Sequence, residues 1–218
     1  MDAKLFEHEL RQAFDDFPRS ELPREPFYAE LLEAVGGLAQ PNNLALLAAA
    51  TSCLGEGESY VEIGSFKGAS MIAAAYGKAA DVVGIDDFSM GDGSREQLEE
   101  NLRRFGCEGA TILEGDAFAL LRGGSLEGRR VGVYYYDGAH GYEHQLEGLR
   151  LVEPFLAERA LLIVDDTDWE QVERAVGDYL AGQAQARELL WLDGKDKGQP
   201  WWWEGMRVLA WSGRELAF

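Results

Sequence analysis

From Ser59 onward the chain repeats one pattern that leaves little choice of architecture: short, nearly continuous apolar runs separated by helical stretches. The runs are SYVEI (59–63), DVVGID (81–86), ATILEGD (110–116), VGVYYYDG (131–138) and ALLIVDDT (160–167). Between them lie KGASMIAAAYGKAA, SREQLEENLRRFG, a less regular stretch around AFALLRG, and YEHQLEGLRLVEPFLAE. A strand that is apolar at nearly every position needs cover on both faces, as a parallel sheet flanked by helices provides. Strands separated by helices join through right-handed crossovers, so the expected class is α/β with an open, doubly wound, mostly parallel sheet.

Past Asp165 the pattern changes. Thr167 with Glu170 forms a capping box for a helix running to about Ala181. Two further strands are expected at ELLWLD (188–193) and WWWEGMRVLAWSG (201–213). The connector GKDKGQP is too short for a helical crossover, so these two strands should pair antiparallel. Alternation on the last strand sends Trp202 to the face opposite Trp201 and Trp203, and sheet core or a subunit contact suits this trio better than a pocket wall. Residues 1–58 carry no strand signal; 5–14, 26–35 and 43–53 look helical, punctuated by prolines at 18, 23, 26 and 41. They are expected to form a helical extension, packed on the sheet edge or over the ligand-binding end of a domain spanning 59–218.

Charge excludes whole classes of partner. Thirty-nine Asp and Glu against 20 Lys and Arg leave a formal charge of −19. Such a surface repels phosphate backbones and anionic lipid, so no nucleic acid and no membrane is expected, whereas cationic ligands and metal ions are favoured. The longest nearly apolar stretch, 44–54, is interrupted by Thr51 and Ser52 and is too short to span a bilayer. Cys53 and Cys107 give no disulfide framework and no zinc spacing, and MDAKLFEHEL lacks the layout of a secretion signal. The expectation is a soluble protein of a reducing, cytoplasmic compartment.

In open α/β sheets, ligands bind beyond the carboxyl ends of the strands near the first one. Here the first strand runs into Glu62-Ile63-Gly64-Ser65-Phe66-Lys67-Gly68 and then a helix. Gly64 permits a tight turn and close backbone approach, and Gly68 lets the next helix sit near the strand. A dinucleotide fingerprint would need a second close glycine where Ser65 and Phe66 stand, and Glu62 at the mouth would repel a diphosphate. An ammonium or sulfonium group suits that carboxylate better. The second strand ends at Asp86, followed by Asp87, where a carboxylate can accept ribose hydroxyls. The third ends in Gly115-Asp116-Ala117, where one can take the amine of adenine; each could also be an ordinary turn or cap residue.

Together YVEIGSFKGAS, VVGIDDF, ILEGDAF, YYYDGAHGYEH and LLIVDDT resemble the class I S-adenosylmethionine-dependent methyltransferases. The likeness is greatest to small-molecule O-methyltransferases with a divalent metal, of the catechol type and the macrocin O-methyltransferase-like sugar type. It runs from about Ser59 to the C-terminus and implies a seven-stranded sheet of order 3-2-1-4-5-7-6, with strand 7 antiparallel. It also implies that Glu62, Gly64, Ser65, Phe66, Gly68 and Ser70 line the methionine end of S-adenosylmethionine. Asp86 and Asp87 would meet the ribose, Gly115, Asp116 and Ala117 the adenine, and Asp137 the edge of the same site. Asp137, Asp165 and Asp166 would bind Mg²⁺, and His140 would be the general base. The implied activity is methyl transfer to a hydroxyl of a small molecule. Alternatives are an oxygenase or N-methyltransferase on the same fold, or an NAD- or adenosine-ligand-binding protein.

Physics gives the carboxylates independent weight. Adjacent strands lie about 4.8 Å apart, so Asp137 and Asp165 or Asp166 share a small volume. Ionised together they would repel, and a hard cation with oxygen ligands removes that conflict. Consecutive strand residues point to opposite faces, so Asp165 and Asp166 can both be ligands only if the strand is breaking up; Asp166 could instead cap the next helix. His140, three residues past Asp137, has an imidazole suited to general base work or to holding a loop. His144, four residues on, faces the same way if a helix has begun there, but Gly-Tyr-Glu between them lacks the zinc-protease arrangement. The N-terminal helices and the Trp-rich edge suit a homodimer.

Overall fold

The computed structural model describes residues 3–194 and 201–213. Its helices are α1 (Ala3–Ala13), α2 (Phe27–Val35), α3 (Pro41–Thr51), α4 (Ala69–Ala75), α5 (Arg95–Arg104), α6 (Ala117–Arg122), α7 (Tyr142–Val152) and α8 (Glu170–Gly182). Its strands are β1 (Ser59–Ile63), β2 (Asp81–Asp86), β3 (Thr111–Glu114), β4 (Val131–Tyr136), β5 (Leu156–Asp165), β6 (Ala186–Leu192) and β7 (Met206–Ser212). They form one sheet of order β3-β2-β1-β4-β5-β7-β6, parallel from β3 to β5, with β7 antiparallel to both β5 and β6. This is the expected doubly wound architecture.

The period-2 alternation of the strands sorts the core into two layers. Tyr60, Val82, Val133, Tyr135, Leu161 and Ile163 pack with apolar residues of α1 through α5 on one face. Val61, Ile63, Val83, Ile85, Tyr134 and Tyr136 pack with α6, α7 and α8 on the other. Helix α3 is buried all round from Asn42 to Thr51, which explains why its sequence shows no polar stripe. The first helices thus share one core with the sheet, and the α2–α3 loop reaches the carboxyl ends of the strands.

Two expectations fail in the last third. The Thr167–Glu170 capping box does not form: α8 starts at Glu170 with Trp169 at its N-cap position, and the Thr167 hydroxyl makes no hydrogen bond among the described residues. The cause lies one residue earlier. Asp166 adopts φ +55°, ending β5 and redirecting the chain before a cap can be set. Residues 201–204 are a turn, since β7 begins only at Met206. Trp202 is buried within that turn, its Nε1 donating to the Pro18 carbonyl at 3.0 Å and its ring 5.7 Å from Phe14 and 5.9 Å from Phe17. Anchoring to α1, not strand alternation, decides where this tryptophan points. The connector expected between the last two strands lies largely outside the described residues.

Candidate active site

The glycine loop is shaped by what must pass beside it. Gly64 has φ +90°, and a Cβ there would stand 2.0 Å from the Asp137 carbonyl oxygen. Only glycine lets β1 and β4 end this close together. Gly68, also at φ +90°, opens α4, and a Cβ on it would meet Leu98 Cδ1 at 2.2 Å. Between them the loop is pinned by Asp86: Oδ2 accepts the Phe66 N–H at 2.7 Å and Oδ1 accepts the Phe88 N–H at 2.6 Å. Asp86 thereby ties the ends of β1 and β2 while remaining on the cavity wall. Each carboxylate oxygen has a second lone-pair site for a ligand hydroxyl.

Glu62 requires a correction. It does not line the cavity; its carboxylate is fully buried under the loop, where Oε2 accepts from the Tyr60 hydroxyl at 2.7 Å and Oε1 from Ser70 Oγ at 2.9 Å. Strand alternation turns Glu62 toward the covered face shared with Tyr60. Burial pushes its pKa up to about 7, against the lowering effect of those hydrogen bonds.

A cavity of about 730 Å³ opens beyond the strand ends. Gly64, Ser65, Phe66, Gly68 and Ser70 line it, as do Asp86, Asp87, Gly115, Asp116, Ala117, Asp137, His140 and Asp166. The motifs quoted from five separate segments therefore meet in one hollow. Two of these residues also have local duties. Asp116 caps α6 by accepting the Ala119 N–H at 2.6 Å, and Asp87 accepts the Ser89 N–H at 2.9 Å.

At the β4 and β5 end sits the ionisable cluster. Ligand atoms of Asp137, His140 and Asp166 all lie within 4.8 Å of one another, and His140 Nε2 is 2.7 Å from Asp166 Oδ2. Desolvation, then the charges of Asp165, Asp166 and Glu62, hold the Asp137 carboxyl well above the usual range. The hydrogen bond to Asp166 raises the His140 pKa. Asp165 is placed differently. It is absent from the cavity wall, its Oδ2 accepts the Tyr135 hydroxyl, and its Oδ1 accepts the Asp166 N–H at 3.0 Å. Burial followed by Asp166 pushes its pKa to about 8.

Sequence reasoning missed walls supplied by segments outside the motifs, and its preference for sheet core or a subunit contact over a pocket wall fails at Trp203. Leu38 of the α2–α3 loop, Trp169 before α8, and Trp203 and Glu204 of the turn before β7 all border the cavity. The Trp169 ring lies 5.0 Å from that of His140, and its Nε1 donates to Glu204 Oε2 at 3.1 Å. The pair Gly36-Gly37 beside Leu38 was the available signal for the first of these. His144 also lines the cavity, stacked 6.0 Å from Phe118, but is outside the metal-ligand cluster.

Residues 61–167 match the model of a family described as a methyltransferase domain. No curated protein matches the sequence. Among solved structures, the O-methyltransferase from Bacillus cereus in complex with S-adenosylhomocysteine superposes with a TM-score of 0.66 at 14% identity, over 95% of this chain and all of that one. The O-methyltransferase TomG from Streptomyces achromogenes, involved in tomaymycin synthesis and solved with S-adenosylmethionine, gives 0.59 at 17% identity, over 98% of this chain and 91% of its own. At such identities these likenesses concern the fold.

Proposed function

Residues 61–167 of this chain belong to the methyltransferase-domain family, and from that premise we propose that the protein transfers the methyl group of S-adenosylmethionine to a hydroxyl of a small molecule, assisted by a divalent cation. One observation carries the proposal: a single cavity joins the glycine loop and Asp86 to the Asp137–His140–Asp166 cluster. Its volume, about 730 Å³, suits a nucleoside-sized donor together with a modest acceptor.

The donor set fits both groups. Asp86, Asp87 and Asp116 present carboxylates along one wall, where hydroxyls, an exocyclic amine or positive charge are welcome and diphosphate is not. Asp137 and Asp166 present oxygen ligands at the other end, and their mutual repulsion is relieved by a cation. When bound, the donor supplies an electrophilic methyl on a charged sulfur, and the cation lowers the pKa of an acceptor hydroxyl.

The chain's own residues do the positioning. Gly64 lets β1 end against the Asp137 carbonyl and Gly68 lets α4 open against Leu98, and Asp86 fixes the loop between them through the Phe66 and Phe88 N–H groups. Leu38, Trp169 and Trp203 add apolar side chains to the cavity wall, and in this reading they flank the acceptor and limit water at the reacting end. Much of the acceleration should come from orientation of this kind.

Calorimetric titration tests the reading. S-adenosylhomocysteine should bind and NAD⁺ should not; binding of NAD⁺ alone would overturn it. Methyl transfer to a panel of catechols and sugars should vanish on chelation and return with added divalent metal.

A further inference from the structure

We propose that the N-terminal helical layer carries a second binding site, for a small zwitterion of the α-amino acid kind. A hollow of about 190 Å³ opens between α1, α2 and α3, and none of the residues lining it borders the larger cavity. Its volume falls below the about 300–1,000 Å³ typical of sites for drug-sized ligands, so its guest has only a few heavy atoms.

The sequence both makes the hollow and sets its chemistry. Helix α3 turns the buried residues Ala45, Ala48 and Ala49 toward it. Side chains this small leave space unfilled between α1 and α2, and they give that space an apolar base. Its polar wall comes from elsewhere: Glu9 and Gln12 of α1, Tyr28 of α2, and Lys78 beyond the end of α4.

These polar groups border one hollow without engaging one another. Among the described residues, the Glu9 and Gln12 side chains and the Tyr28 hydroxyl make no hydrogen bond, and the Lys78 ammonium makes one long bond, 3.4 Å to the Ala73 carbonyl. An ammonium has more donors than that to satisfy. Lys78 is half-buried, and desolvation lowers its pKa because the one contact does not replace the lost water. A carboxylate in the hollow would accept from Lys78 and Tyr28, and an ammonium would donate to Glu9 and the Gln12 carbonyl. Charge selects the two together over either alone. At −19 the protein repels free anions, and Lys78 repels a free cation, whereas a zwitterion meets an opposite charge at each end. The alanine base then receives a short apolar side chain.

Full-length protein carrying ¹³C-methyl alanine should be titrated with unlabelled L-alanine, and with acetate and ethylammonium as single-charge controls, by methyl NMR. The expected results are saturable shifts of the Ala45, Ala48 and Ala49 methyls with L-alanine, and binding at least about tenfold weaker for either control. Lys78→Met and Glu9→Gln should each weaken L-alanine binding at least about tenfold, and excess S-adenosylhomocysteine should leave it unchanged. Absence of saturable shifts at those methyls would overturn the proposal. So would a control that binds as tightly as L-alanine, or affinity unchanged in either variant. Displacement of L-alanine by S-adenosylhomocysteine would also overturn it, because the amino acid would then sit in the larger cavity. Both substitutions lie at half-buried positions, and thermal melts of the variants exclude misfolding as the cause.

Discussion

Replacing Glu62 by glutamine should alter the pH dependence of stability in a calculable way. Glu62 is fully buried, with a pKa raised from 4.5 to about 7 by desolvation. Below pH 4.5 it is protonated in both folded and unfolded chains and contributes no difference. As the pH rises from 4.5 to about 7 the unfolded chain ionises first, the native state binds more protons, and stability falls. At about 1.4 kcal/mol per pH unit, the wild type loses about 3 kcal/mol through this group by about pH 8. The substituted amide cannot ionise. It keeps one carbonyl acceptor, and its NH₂ group can donate to a hydroxyl oxygen of Tyr60 or Ser70, both of which turn freely between donating and accepting. Glu62→Gln should therefore match the wild type near about pH 5 and exceed it by up to about 3 kcal/mol at about pH 8. Urea unfolding across that pH range, in the presence of chelator, measures the difference. A gap that stays constant throughout, or that favours the wild type increasingly as pH rises, would refute the reasoning.

Other perturbations test other parts of the molecule. Gly64→Ala places a methyl 2.0 Å from the Asp137 carbonyl oxygen in a left-handed conformation, and should cost about 3 kcal/mol, seen as a lowered Tm with loss of S-adenosylhomocysteine binding. Asp86→Ala leaves the Phe66 and Phe88 N–H groups without their acceptor; S-adenosylhomocysteine affinity should fall at least about tenfold, measured calorimetrically. Trp202→Ala empties the junction between α1 and the turn before β7, and a loss of about 3–5 kcal/mol is expected in chemical unfolding. Asp137→Asn should abolish divalent metal binding in calorimetry while leaving the fold intact by circular dichroism, because it removes one carboxylate from a mutually repelling cluster.

How much of this was legible depends on the range of the interaction. The alternation of runs after Ser59 sufficed for the sheet, because burial on both faces is recorded residue by residue in a strand. The antiparallel hairpin followed from connector length alone. The glycine loop and the acidic strand ends were visible, and the structure gathers most of them around one cavity. Three matters were not visible. Whether Glu62 looks into the cavity or under it depends on which sheet face receives α4. The positions of Trp202 and Trp203 depend on a contact to Pro18 and a hydrogen bond from the Trp203 N–H to Asn43 Oδ1, 184 and 160 residues away in the chain. The failed cap at Thr167 depends on one backbone angle at Asp166.

The amino-acid order by itself determined the layers, the acidic residues at the strand ends and the net negative charge, since each is a property of local periodicity or of summed charge. The tertiary structure decided which of two adjacent aspartates faces the cavity, brought His140 to that one, and closed the walls with residues from distant segments of the chain. Those outcomes turn on a single left-handed residue and on contacts between distant segments, and neither leaves a periodic trace along the chain.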